Sequence, residues 1–209
     1  MKERNHKSLQ CQIYHQLASM SCAHIRKKCG IISFCNEVYE ASVIFHENSL
    51  MELSIEDKKT SETPFYLHFE AREPKTARNN IQAFFDFFRD KNPSKEHFDI
   101  HAAKNGQSMK LLVSCSSGLT SSYFAYTMKN ALDKAGIDIT IDAVSFQEID
   151  RLQDQYDYIL LAPQIAYKLP EYRAKYGDRV MTVDSRDFAS YDVGRVLNRL
   201  VRLGAPGAA

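Results

Sequence analysis

From Lys110 onward, short apolar runs alternate with stretches of helical spacing. The runs are Lys110–Cys115, Ile139–Val144, Tyr158–Ala162 and Arg179–Val183. The helical stretches are Thr120–Ala135 with Gly136 as its stop, Phe146–Leu152, a helix opened by Pro163 and reaching about Lys175, and Phe188–Leu200. Continuous apolar runs suit strands buried on both faces, and parallel neighbours need helical crossovers between them. The C-terminal half is therefore predicted to be α/β: a four-stranded parallel sheet with helices on both faces, flavodoxin-like or low-molecular-weight-phosphatase-like. In such sheets the active site lies outside the carboxyl ends of the strands, and that singles out Cys115.

The residues around it read Val113-Ser114-Cys115-Ser116-Ser117-Gly118-Leu119-Thr120-Ser121-Ser122 and lead directly into a helix. Small residues let successive backbone N–H groups curl around an anion, and the helix N-terminus adds its positive dipole end. Gly118 permits backbone conformations that a Cβ resists. The predicted phosphate-binding residues are thus Ser116, Ser117, Gly118, Leu119, Thr120, Ser121 and Ser122, with Cys115 as nucleophile. The same donors stabilise its thiolate. A buried strand-end cysteine ahead of a serine-capped helix would share part of this pattern. It gives no reason for so long a run of small and hydroxylated residues.

Spacing excludes several other chemistries. No Gly-Lys occurs, so there is no Walker-type nucleotide loop, and Gly118 stands too isolated for a dinucleotide fingerprint. No Cys-x-x-Cys occurs either. A cysteine phosphatase places arginine six residues after its cysteine, and here that residue is Ser121. Without the bidentate guanidinium, a loop of neutral donors can hold a phosphocysteine without driving its hydrolysis. A relay is favoured over a phosphatase.

Charge narrows the partners. The chain of 209 residues has 27 basic and 26 acidic side chains, 15 and 14 of them before Met109, so neither half is a basic module and no nucleic acid is expected. No apolar run approaches the roughly 20 residues of a membrane span, and the first ten residues lack a signal-peptide core. Five cysteines without framework spacing fit a reducing cytoplasm.

The N-terminal half reads as a small α+β domain over residues 1–90, followed by a polar linker, 91–108, a domain over 109–202 and a flexible tail, 203–209. Leu9, Ile13, Leu17 and Ile25 recur at helical spacing, with Gly30 as the stop. Strands are predicted at Ile31–Cys35, Ser42–His46, Leu50–Ile55 and Phe65–Glu70. A second helix from about Thr76 carries Ala77, Ile81, Phe84, Phe85 and Phe88 on one face, to cap the sheet. Cys11, Cys22, His24, Cys29 and Cys35 match no standard zinc spacing and are read as buried packing; no metal is expected.

From Lys110 to about Leu200 the chain resembles the enzyme IIB component of the sugar phosphotransferase system, lactose/cellobiose (chitobiose) class. Three stretches carry the likeness in order: CSSGLTSS, DYILLAPQIAYKLPE and VDSRDFASYDVGRVL. Ala162 stands where the family has Gly, and Thr120 and Ser121 where it usually has Ser and Thr. The resemblance implies that Cys115 takes a phosphoryl group from a phosphohistidine on a IIA partner. It then passes the group to a β-disaccharide (cellobiose, chitobiose or lactose type) carried by a membrane-embedded IIC permease. No metal or other cofactor is implied, and the location is cytoplasmic, at the inner face of the membrane through IIC. The absence of histidine after His101 fits a donor on another chain. Gln164 and Tyr167, just beyond the third strand, are candidate partner or sugar contacts at the rim. A phosphorylation-sensing regulator built on the same fold is the alternative of a different class, and the phosphatase a third. Residues 1–108 carry no resemblance of their own.

Overall fold

Alternation builds the first sheet. Residues 31–35 bury every second side chain, as do the next three strands, so one face is apolar and the other polar. The computed structural model describes residues 8–20, 23–24, 30–97, 109–116 and 119–204, and divides the chain into units 1–92 and 93–209.

In the first unit, α1 (Leu9–Ala18) precedes β1 (Ala23–His24), β2 (Ile31–Cys35), β3 (Tyr39–Phe45), β4 (Leu50–Asp57) and β5 (Phe65–Glu70), and α2 (Pro74–Arg89) closes it. The strands pair antiparallel in chain order. The four phenylalanines of α2 meet the sheet: Phe34 packs edge-on against Phe85 at 5.1 Å, and Phe65 contacts Phe84 and Phe87. Each fully buried ring contributes roughly 2–3 kcal/mol. Asn36 ties the β2–β3 turn to the end of α2. Its Oδ1 accepts from Val38 and Tyr39 N–H while its Nδ2 donates to Phe88 O.

The first helix is shorter than its spacing predicts. It stops at Ala18, where the Ser19 hydroxyl donates to Gln16 O, and Ala23–His24 already pairs with β2. Ile25 lies outside the described residues. Gly30, at φ +69°, stands directly before β2, and its carbonyl accepts from Phe45 N–H.

The second unit runs β6 (Met109–Cys115), α3 (Leu119–Ala135), β7 (Ile139–Ser145), a 3-10 turn and α4 (Ile149–Leu152), β8 (Tyr158–Leu161), a 3-10 segment (Pro163–Lys168), α5 (Leu169–Tyr176), β9 (Val180–Thr182), α6 (Ser185–Ala189) and α7 (Val193–Gly204). Its sheet is wholly parallel in the order β7-β6-β8-β9, with β6 central. On one face Leu112, Ile159, Leu161 and Val180 pack with Ile149, Ile165 and Tyr172. Residues of opposite parity face α3, whose Phe124 stacks on Phe188 at 4.6 Å.

The predicted Phe188–Leu200 helix is two helices. Tyr191 takes φ +53° between them, and Asp192 restarts the helix by accepting the Arg195 N–H, as an N-cap does. The helix from Pro163 likewise begins as 3-10 and becomes α only at Leu169. Residues 93–97, within the predicted linker, dock on α7: Glu96 N–H donates to the Asp192 carboxylate, and Asn198 Nδ2 donates to Glu96 Oε1 and His97 O. Residues 98–108 and 205–209 of the predicted linker and tail lie outside the described residues.

Candidate active site

β6 is buried along residues 111–115 because neighbours on both edges and helices on both faces surround it. It delivers Cys115 to the carboxyl end of the sheet, 1% exposed and in register with Ser145 of β7. On the other side Ala162 N–H donates to Ser114 O at 2.8 Å, so the chain leaving β8 stays bonded to β6 up to the cysteine.

The thiol of Cys115 donates to Ser121 Oγ at 3.2 Å, and Ser121 is fully buried in the first turn of α3. The residue six after the cysteine thus reaches the sulfur. Thr120 is also buried, whereas Ser116 and Ser122 are exposed. Ser117 and Gly118 lie outside the described residues. Leu119 begins α3, with no acid in its first turn. A hydroxyl facing a thiol can reverse its bond and donate once the sulfur is a thiolate.

Beyond β8, the 3-10 segment carries Gln164 and Tyr167. Gln164 is not on a rim: it is 5% exposed, and neither its Nε2 nor its Oε1 has a hydrogen-bond partner among the described residues. Tyr167 is 49% exposed. Tyr123 and Tyr126 of α3, not singled out from the sequence, are exposed as well, while Phe124 between them is buried. Their spacing of three on a helix whose buried face was legible was the available signal.

After β9, Asp184 caps α6 by accepting from Arg186 N–H. Asp187 is nearly buried. Burial and the neighbouring Asp184 push its carboxyl up to about 6, despite Arg195 Nη1 at 3.3 Å. Arg195 also pairs with Asp192 and Glu96.

The cysteines of the first unit do not form one packed set. Cys11 is half-buried in α1, but Cys35 is exposed, because it ends β2 on the polar parity, and Lys58 Nζ sits 2.9 Å from its sulfur. Cys22 and Cys29 lie outside the described residues. Among the described residues no three His, Cys, Asp or Glu side chains are grouped to hold a metal ion. No helix among them is long and apolar enough to cross a membrane.

Cys115 thus ends the central strand of a parallel α/β sheet, ahead of a helix whose first turn holds Thr120 and Ser121. Residues 110–199 match the family model of the PTS system, Lactose/Cellobiose specific IIB subunit, so this stretch is a lactose/cellobiose-type IIB domain. The match leaves the N-terminal unit outside it. Among solved structures, the lactose-specific IIB component domain from Streptococcus pneumoniae is 16% identical, over 47% of this chain and 100% of that one, with a TM-score of 0.43. The cellobiose-specific phosphotransferase IIB component from Borrelia burgdorferi is 22% identical, over 46% and 94%, with a TM-score of 0.40.

Proposed function

We propose that the protein is the phosphocysteine relay of a sugar uptake phosphotransferase system. Cys115 takes the phosphoryl group from a phosphohistidine on a IIA partner and hands it to a β-disaccharide of the cellobiose, chitobiose or lactose type at a membrane IIC permease. In the first step the sulfur attacks phosphorus, the S–P bond forms, the N–P bond breaks, and the thiol proton ends on the imidazole. In the second, a sugar hydroxyl oxygen attacks phosphorus, the O–P bond forms, the S–P bond breaks, and the hydroxyl proton ends on the freed sulfur.

The observation that carries this reading is Cys115 at the end of the central strand, its sulfur bonded to the Ser121 hydroxyl. A phosphatase arginine at that position would stabilise in-line hydrolysis; a serine supplies one neutral donor. The remaining donors are the hydroxyls and backbone N–H groups of Ser116, Ser117, Gly118, Leu119, Thr120 and Ser122. The exposed rings of Tyr123, Tyr126 and Tyr167 supply apolar contact area for partner proteins. The relay works in the cytoplasm and meets the membrane only through IIC.

The test is phosphoryl labelling with phosphoenolpyruvate, the general phosphotransferase proteins and a IIA donor, read by intact mass. A thiophosphate on the wild type, absent in Cys115→Ser and discharged by sugar with IIC membranes, supports the relay. Labelling without discharge points to a sensor. Phosphate release from an aryl phosphate without labelling sinks the reading.

A further inference from the structure

A buried side-chain amide with nothing to bond is rare in a folded protein, because each unsatisfied polar atom forfeits its bonds to water without replacement. Among the described residues Gln164 has two such atoms, a donor and an acceptor, and it is 5% exposed. Packing gives no reason for an amide there: its neighbours in the chain, Pro163 and Ile165, are buried and apolar. Its place in the fold is what separates it from an accident. Leu161 is in register with Ser114, and Ala162 N–H bonds to Ser114 O, so Ala162 is level with Cys115 on the adjacent strand. Adjacent strands lie about 4.8 Å apart. Gln164 comes two residues later, at the carboxyl edge of the sheet where the sulfur sits.

Resting on the relay reading above, we infer that Gln164 is a reaction-site residue: its Nε2 donates to a non-bridging oxygen of the phosphoryl group on Cys115, and its Oε1 accepts from the sugar hydroxyl that attacks it. The two atoms require a partner that accepts and a partner that donates. A phosphoryl dianion only accepts, and a hydroxyl brings the missing donor. One planar amide joining the two aligns the attacking oxygen with the phosphorus and adds a charge-assisted bond to the transferring group. Before phosphorylation both atoms are unsatisfied, so the site is preorganised for a ligand at a cost in stability.

The test uses the full chain and compares Gln164→Leu, which keeps the volume and removes both polar atoms, with Gln164→Glu. For Gln164→Leu the expected result is an unchanged or raised unfolding temperature, labelling at Cys115, and discharge to sugar slowed 10- to 100-fold. Gln164→Glu, which sets a carboxylate against the dianion, should slow labelling itself by a similar factor. In the wild type, the side-chain NH2 resonances of Gln164 should shift on phosphorylation, and shift again when sugar and IIC are added. A purely structural glutamine would give a lower unfolding temperature in Gln164→Leu, with resonances unmoved by phosphorylation. Discharge by Gln164→Leu at the wild-type rate overturns the inference while leaving the relay standing. Failure of the wild type to label at Cys115 overturns the relay itself.

Discussion

The two units solve the burial of a sheet in opposite ways, and the two solutions distribute their strand ends differently. In the first, consecutive strands pair antiparallel, one face lies under the phenylalanines of α2, and the other carries Ser33, Ser42 and Ser54 in register across three strands. Among the described residues, segments 36–38, 46–49 and 58–64 join β2 to β5 in chain order, so successive connections fall at alternate ends of the sheet. In the second, parallel strands force each connection back across a face, and all the carboxyl ends open on one side. Cys115, Ser145, Gln164 and Asp184 all come from that side. The lesson is that topology, more than composition, decided where chemistry could be placed; the first unit has four of the five cysteines and most of the histidines.

Separating chemistry from packing gives the largest expected effect. Cys115→Ser should abolish labelling, with a loss beyond roughly a thousandfold because serine is a far weaker nucleophile at neutral pH. Its circular dichroism and unfolding midpoint should stay within error of the wild type, since the substitution changes one atom. Phe34→Ala is the counterpart in the first unit. Phe34 is fully buried against Phe84, Phe85 and Phe88, so its loss should cost about 3–5 kcal/mol in urea unfolding. Labelling of Cys115 should stay within about twofold. Labelling that fell in step with the Phe34→Ala transition would mean that the second unit depends on the first.

Legibility in the sequence divides along the same line. Period-two alternation marked β2 to β5 to within a few residues, and the apolar runs marked β6 to β9, because in each the pattern is local and repeated. Helix ends were less legible. The break at Tyr191 involves neither glycine nor proline; it rests on a left-handed tyrosine whose ring packs against Tyr123 at 5.0 Å, and on Asp192 capping α7. Aspartates are frequent enough on helix surfaces that this one carried no mark. At the site, Cys115 and Ser121 could be read together because the helix start brings them together. The burial of Gln164 depends on strands distant in sequence, whereas its place just beyond the third strand predicts a rim residue.

A smaller effect concerns charge within the second unit. Asp187 in the folded protein titrates at about 6 against an ordinary 3.8, chiefly from burial, then from Asp184 and Asp192, with Arg195 opposing and Glu96 competing for that arginine. Between those values the native state holds a proton that the unfolded state has lost, so stability falls as pH rises through the window. Asp187→Asn, which mimics the protonated acid, should match the wild type near pH 4 and exceed it by about 1–3 kcal/mol at pH 7. Parallel stability curves from pH 4 to 7 would show that Arg195 neutralises the carboxylate in full.

The smallest effect tests how the two units treat their helix starts. The N-terminus of α2 is closed from within: the Glu73 carboxylate accepts from Lys75 N–H at 2.9 Å and Thr76 N–H at 2.6 Å, and Pro74 removes a further donor. The first turn of α3 contains no acid, only hydroxyls and apolar residues, directly after Cys115. One helix end is satisfied by its own anion, while the other starts with Thr120 and Ser121 and no acid. Glu73→Ala should therefore destabilise the first unit by about 1 kcal/mol, and Glu73→Gln by less, because the amide oxygen still accepts while the charge–dipole attraction is lost. Both shifts are measurable as urea midpoints at low salt, and the gap between them should shrink as salt is added. If Glu73→Ala leaves the midpoint unchanged, the carboxylate is not what satisfies α2, and the contrast between an acid-capped and an acid-free helix start loses its basis.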